Sequence, residues 1–253
     1  MCISEKYNEG AEETVAIHDV YTTIRLAFQD VVNAKEIQDR TVTVSARDFD
    51  AAGSGDLHGK EIKLTGEYEG AAGECFTSFP GEFNGTIAEL MALDIEHNPV
   101  DRSVYIAGIN AVLNKYELAD DCLSCDEADR KRCASRIVQQ FKKNNGKVNC
   151  LLVGYQEEMA QALSEAFPLR ILDLDQDNIG REVYGVLIED GATAYQDASR
   201  WAEVIVCTGS AFANGTIYDY IKLPKDVQFY GTTIAGAARI LELRRICPFG
   251  KNQ

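Results

Sequence analysis

The sequence predicts an α/β protein in which a parallel, doubly wound sheet forms the C-terminal half and a smaller α+β part precedes it. Two observations carry this reading. From Lys147 onward, apolar runs alternate with amphipathic helical segments. Between Thr41 and Phe79 the apolar residues instead alternate at period two and are separated by Gly-rich turns. Short fully apolar runs are strands buried on both faces, whereas strict alternation marks strands with one wet face.

In chain order, Val15, Val20, Ile24, Leu26, Phe28, Val31 and Val32 predict a helix over residues 12–34. Val42 and Val44, then Ile62 and Leu64, then Glu74 to Phe79 predict three strands of an antiparallel sheet. Thr86 with Glu89 three residues later is a capping-box pattern ahead of Ile87, Leu90, Met91 and Ile95. Asn98 and Pro99 open a further helix, with Val104, Ile109, Val112 and Leu113 as its buried stripe. Beyond Lys147 the strand runs are VNCLLVG, LRILDLD, VIVCTG and VQFYGTT, with helices ending near Phe167, spanning Ala192 to Trp201, starting at Gly215, and along IAGAARILELRR. This divides the chain into an α+β part (residues 1–118), a Cys-containing helical connector (119–146) and the parallel-sheet part (147–253).

The 253 residues suffice for a sizeable core, and a net charge of −15 without a basic stripe argues against a nucleic-acid partner. The acidic start MCISEKYNEGAEETV is unlike a signal peptide, and no apolar run reaches membrane-spanning length, so a cytoplasmic protein is expected. In that compartment the eight cysteines should be reduced thiols, some of them available to a metal.

In a parallel sheet, ligands bind beyond the carboxyl ends of the strands. The candidate ligand-binding residues there are Gly154, Asp173, Asp175, Thr208, Gly209, Ser210, Gly231, Thr232 and Thr233. Glycine lets a ligand approach the backbone, and helix starts offer free N–H groups that suit a phosphate or carboxylate. Asn214, Gly215 and Thr216 join them because Asn-Gly-Thr-Ile occurs at both 84–87 and 214–217, with Gly-Thr-Thr-Ile at 231–234, each time before a helix. A turn followed by a helix cap explains one such motif without any ligand; three suggest helix ends aimed at a shared cleft. The first turn, GYQEEMAQA, lacks the glycines of a dinucleotide fingerprint, which disfavours classical NAD binding.

Cys122 and Cys125 form a C-x2-C pair, and Cys133 follows in the connector. With Cys247, which precedes Pro248, they are the candidate ligands of a thiolate-bound metal ion or iron–sulfur cluster. If Asp126 caps a helix through Phe141, Cys125 and Cys133 stand roughly 12 Å apart along its axis, too far for one mononuclear site. Either that segment is unwound or Cys133 is no ligand; a redox dithiol is the competing account of the pair. Cys150 and Cys207 lie in apolar strand runs and read as core. His18, His58 and His97 make no catalytic spacing, and no nucleophile elbow, Walker loop or H-E-x-x-H is present.

The segments LLVGYQEEMAQAL, LDLDQDNIG, WAEVIVCTGSAFANGTI, FYGTTIAGAARIL and RICPFG resemble the heavy-metal chelation family, a Rossmann-like domain of unknown function. FNGTIAELMAL and YIAGINAVLN are similar to the enolase N-terminal-like domain that usually precedes it, and CDEADRKRCA to a Cys-x7-Cys stretch of some members. The resemblance implies a cleft between two domains and a role in handling heavy metal. The reading is therefore a metal or metal-bearing anionic small ligand held in that cleft. Its rivals are an enzyme acting on an anionic metabolite or nucleotide-like cofactor, and a connector that serves electron transfer or homo-oligomer formation.

Overall fold

A computed structural model of the chain describes residues 17–46, 61–145 and 148–251. Val15, His58, Cys2 and the side chain of His18 lie outside what is described. Helix α1 (Ile17–Lys35) buries Val20, Ile24, Phe28, Val31 and Val32 at helical spacing, while Leu26 from the same predicted stripe faces solvent. Strands β1 (Thr41–Ala46), β2 (Ile62–Tyr68), β3 (Ala71–Thr77) and β4 (Phe83–Thr86) form an antiparallel sheet in the order β3-β2-β1-β4. The tight β2–β3 turn places Glu69 and Gly70 at positive φ, as hairpin turns that follow the strand twist require. β4, which carries the first Asn-Gly-Thr, is a strand the sequence reading did not anticipate.

Helix α2 (Ile87–Met91) starts with the predicted capping box: the Glu89 N–H donates to Thr86 Oγ1, and Glu89 accepts from the Thr86 N–H. Helix α3 (Pro99–Lys115) is capped by Asn98, which accepts the Val100 and Asp101 N–H groups. It lies directly on β2 and β3, because Gly66 and Gly73 leave room for its backbone. A Cβ at Gly73 would fall 2.2 Å from Ala111 N, and one at Gly66 2.3 Å from Ala107 O. α3 is buried on every side from Arg102 to Asn114, wider than the stripe its sequence suggests.

Helix α4 (Glu127–Asn145) is capped as predicted, Asp126 accepting the Asp129 N–H at 2.9 Å. The second sheet follows: β5 (Cys150–Val153), α5 (Glu157–Ser164), β6 (Leu169–Asp173), β7 (Glu182–Val183), β8 (Val186–Asp190), α6 (Gly191–Trp201), β9 (Val204–Thr208), α7 (Ser210–Asn214), α8 (Ile217–Ile221), β10 (Asp226–Tyr230) and α9 (Ala235–Ile240). Its order is β10-β9-β5-β6-β8-β7, parallel throughout except for β7 against β8. The β7–β8 hairpin was not expected; half-exposed and ending in Glu189 and Asp190, it lacks a continuous apolar run. The segment after β10 covers that edge strand, with the Phe229 N–H donating to Arg244 O and Phe229 O accepting from Ile246. Covering an edge this way prevents pairing with other chains.

A continuous apolar core runs from α1, α3 and the small sheet into one face of the large sheet, and a second core packs α4 and α5 on the other face. Each large aliphatic or aromatic side chain so enclosed contributes about 1.5–3 kcal/mol. Tyr21 of α1 stacks on Phe212 of α7 at 5.4 Å and donates its hydroxyl to Phe212 O. The buried Arg102 guanidinium lies 4.9 Å from the Tyr21 ring and donates to Ile95 O, Glu96 O and Ala213 O. Asn110, fully buried, donates to Glu74 O, Thr232 O and Thr233 O and accepts the Gly236 N–H. Replacing Asn110 by Leu strands these backbone groups and should lower unfolding free energy by about 3 kcal/mol, read from the urea midpoint.

Candidate functional site

β5 continues to β6 on one side, whereas β9 lies on its other side, so the chain reverses its winding direction between β5 and β9. At such a point the loops beyond the strand ends part and leave a crevice. Here the crevice holds two adjoining chambers of about 340 and 290 Å³, which share Glu61, Tyr155 and Thr208 on their walls.

The larger chamber is bounded by Gly154 after β5, Asp173 and Asp175 after β6, Thr208, Asn214 and Thr216. Asp219 adds a further carboxylate, and Tyr195 and Tyr220 supply aromatic wall. Among the described residues lining it there is no Lys, Arg or His. Gly209, Ser210, Gly231, Thr232 and Thr233 line the smaller chamber instead. Gly215 lines neither: it ends α7 at φ 82°, and a Cβ there would come 2.8 Å from the Arg102 guanidinium. The first Asn-Gly-Thr-Ile also lies away from both chambers, so the three motifs do not meet at one cleft.

The strand ends were expected to offer free N–H groups to an anion, but the structure uses them internally. Gly154 N–H donates to Leu172 O, Gly209 N–H to Tyr230 O, and Ser210 N–H to Thr208 Oγ1. Asp173 is also engaged, accepting the N–H groups of Tyr155 at 2.7 Å and Asp175 at 2.8 Å. Thr233 Oγ1 accepts the Phe76 N–H from β3. Thr232 is 2 % exposed and its hydroxyl has no hydrogen-bond partner.

Glu61, just ahead of β2, is the residue the sequence reading missed. No motif marks it, and only the packing of the small sheet against the large one brings it to the crevice. It is exposed and lies on the walls of both chambers. Desolvation pushes its carboxyl up to about 7; a hydrogen bond with the Ser210 hydroxyl offsets part of this, and the charges of Asp173 and Asp175 add to the rise.

The smaller chamber gathers Cys125, Cys133 and Cys247 from the connector, α4 and the segment after β10. Each is positioned by identifiable contacts. Residues 122–124 dock on β3, with Glu74 N–H donating to Cys122 O and Glu74 accepting the Ser124 N–H. Arg245 donates to Gly231 O, Asp120 O and Asp121 O, and Leu123 pairs with Lys251, so connector and tail are held side by side. Arg132 over the Phe249 ring at 4.9 Å ties α4 to the tail near Cys133. The structure does not bring Cys122 to this group: it is fully buried in the main core, its thiol directed to Ala119 O. The C-x2-C spacing thus splits between core and chamber.

All seven described cysteines are free thiols, and among the described residues no three His, Cys, Asp or Glu side chains already stand in a metal-ligating arrangement. Desolvation pushes Cys133 up to about 12, with Cys247 and then Cys125 adding to the rise; it also raises Cys125 and Cys247. Both neighbours that raise Cys133 are thiols of the same chamber.

Residues 138–241 match the model of DUF364, described as "Putative heavy-metal chelation". The match spans 104 of the 253 residues. The chain is similar in fold to a DUF364 protein of unknown function from Pyrococcus horikoshii, at 16% identity and TM-score 0.54, covering 85% of this chain and 79% of that one. A second DUF364 protein of unknown function, from Desulfitobacterium hafniense, matches at 14% identity and TM-score 0.48 over 76% and 78% of the two chains. No curated protein matches. No helix among the described residues is long and apolar enough to cross a membrane.

The thiols make stability depend on pH with a definite sign. Burial pushes Cys122, Cys133 and Cys150 each up to about 12 in the fold, whereas an unfolded thiol ionises near 8.5. Their contribution is complete below about 8.5 and is lost as pH rises toward the folded values. Denaturation midpoints under reducing conditions should therefore fall steadily above about pH 8.5, and the fall should be shallower in Cys150→Val.

Proposed function

We propose that this protein binds a soft or borderline metal cation as its cargo in the chamber lined by Cys125, Cys133 and Cys247. The observation that carries this reading is that three thiols from three separate chain segments line one cavity. Thiolates are the ligands that select such metals over the hard cations taken by carboxylates alone. The unpartnered Thr232 hydroxyl on the same wall is an oxygen donor with no competing bond inside the protein. The description of the DUF364 family supports the same chemistry.

The residues fit a metal in donor type, and since α4 is intact and capped at Asp126, the roughly 12 Å along its axis between Cys125 and Cys133 must be closed by movement of Cys125 and Cys247, which lie outside the helices. Cys247 is on a tail segment and Cys125 precedes α4, so both can move without unwinding a helix; Cys133 on α4 is the fixed point. Because burial holds all three thiols protonated, metal entry must release protons. Affinity therefore rises with pH across the neutral range.

Titration of the reduced protein with zinc(II) against a chromophoric chelator tests this. One equivalent should bind, with affinity increasing from about pH 6 to about pH 8. The Cys125→Ser/Cys133→Ser/Cys247→Ser variant should lose that equivalent and Cys122→Ala should keep it. Equal binding by the triple variant would sink the reading.

A further inference from the structure

The two chambers are large for an ion alone. A water molecule's share of liquid volume is about 30 Å³, and organic ligands occupy pockets of roughly 300–1,000 Å³. The thiol chamber measures about 290 Å³ and opens, across Glu61, Tyr155 and Thr208, on a neighbour of about 340 Å³. That neighbour has no thiol on its walls. It has instead the carboxylates of Asp173, the last residue of β6, and of Asp175 just beyond it, and a wall of Leu172, Leu174, Tyr155 and Tyr195. Two polar atoms on the joint walls are cut off from water without a partner: Thr232 Oγ1, on a residue 2 % exposed, and Asn214 Oδ1. A fold leaves such atoms unpaired at a cost unless a ligand supplies the missing bond.

We propose that the two chambers form one site, and that the larger takes an uncharged, hydroxyl-bearing ring molecule of nucleoside size, with its hydroxyls on Asp175, which Asp173 and Asn178 hold in place. Asp173 already accepts the N–H groups of Tyr155 and Asp175 and the Asn178 amide, which fixes it in place, whereas Asp175 accepts the Asp177 N–H and the Asn178 amide and keeps lone pairs for hydroxyl donors. Asn214 Oδ1 lacks a partner on the same wall, and Tyr195 supplies an aromatic side for a ring, while the Tyr155 ring carries the Arg181 guanidinium at 5.7 Å. Asp173, Asp175, Asp219 and Glu61 surround the chamber with acids, which sets it against a phosphate and reverses the anionic preference expected from the strand-end glycines. This deepens the metal reading by naming what shares the site with the ion, but ring binding does not need the thiols.

The test uses the full chain without metal and titrates it with adenosine, AMP and spermidine by calorimetry. Adenosine should bind saturably and AMP more weakly. The triple cysteine variant should bind adenosine as the native chain does, so failure of the metal reading and failure of this one are separable. Asp175→Asn keeps the oxygen that accepts the Asp177 N–H yet should weaken adenosine roughly tenfold, the loss of one charge-assisted hydrogen bond. Ala192→Trp, a change at an exposed position on the chamber wall, should block adenosine while leaving zinc binding intact. The proposal is overturned if adenosine fails to saturate at millimolar concentration, if AMP binds at least as tightly, or if spermidine binds and adenosine does not.

Discussion

Everything at the crevice depends on one buried amide. Asn110, in the middle of α3, joins the backbone of β3 at Glu74 to the loop after β10 at Thr232 and Thr233, and receives the Gly236 N–H at the start of α9. That side chain meets four backbone groups at once, and each would be costly to leave unmade away from water. The amide therefore sets the position of the small sheet on the large one. It also holds the Thr232–Thr233 backbone, and with it the roof of the thiol chamber.

Around this joint the contacts reinforce one another. Thr233 returns a bond to β3 through Phe76 N–H, and Glu74 reaches the connector through Ser124 N–H. Arg102 and Tyr21 fasten α3 and α1 to α7. The glycines of β2 and β3 are the complement of this arrangement: they allow α3 to come close enough to the sheet for Asn110 to span the gap. Local choices and global packing agree here, which is what a single well-defined fold requires.

Much of the architecture was legible in the sequence because it rests on local signals. The apolar runs of β5, β6, β9 and β10 and the caps at Thr86, Asn98 and Asp126 each announce themselves within a few residues. β8 escaped because its charged, half-exposed end breaks the apolar run, and β4 because Asn-Gly-Thr reads as a turn. The site was less legible, since its members meet only through tertiary contacts. Glu61 carries no motif, and Cys122 and Cys125 look alike in sequence although docking on β3 sends one thiol into the core and leaves the other on the chamber wall. Of the N–H groups that looked ready for an anion, those of Gly154, Gly209 and Ser210 are engaged within the protein.

The tail that covers β10 also supplies Cys247, and it reaches its place by pairing with Phe229 and Leu123. During synthesis, Cys125 and Cys133 leave the ribosome long before the strands that must separate them from the tail. A chain arrested at β10 has two of the three sulfurs and no roof over them. The order of translation thus delays formation of the chamber until both sheets are assembled.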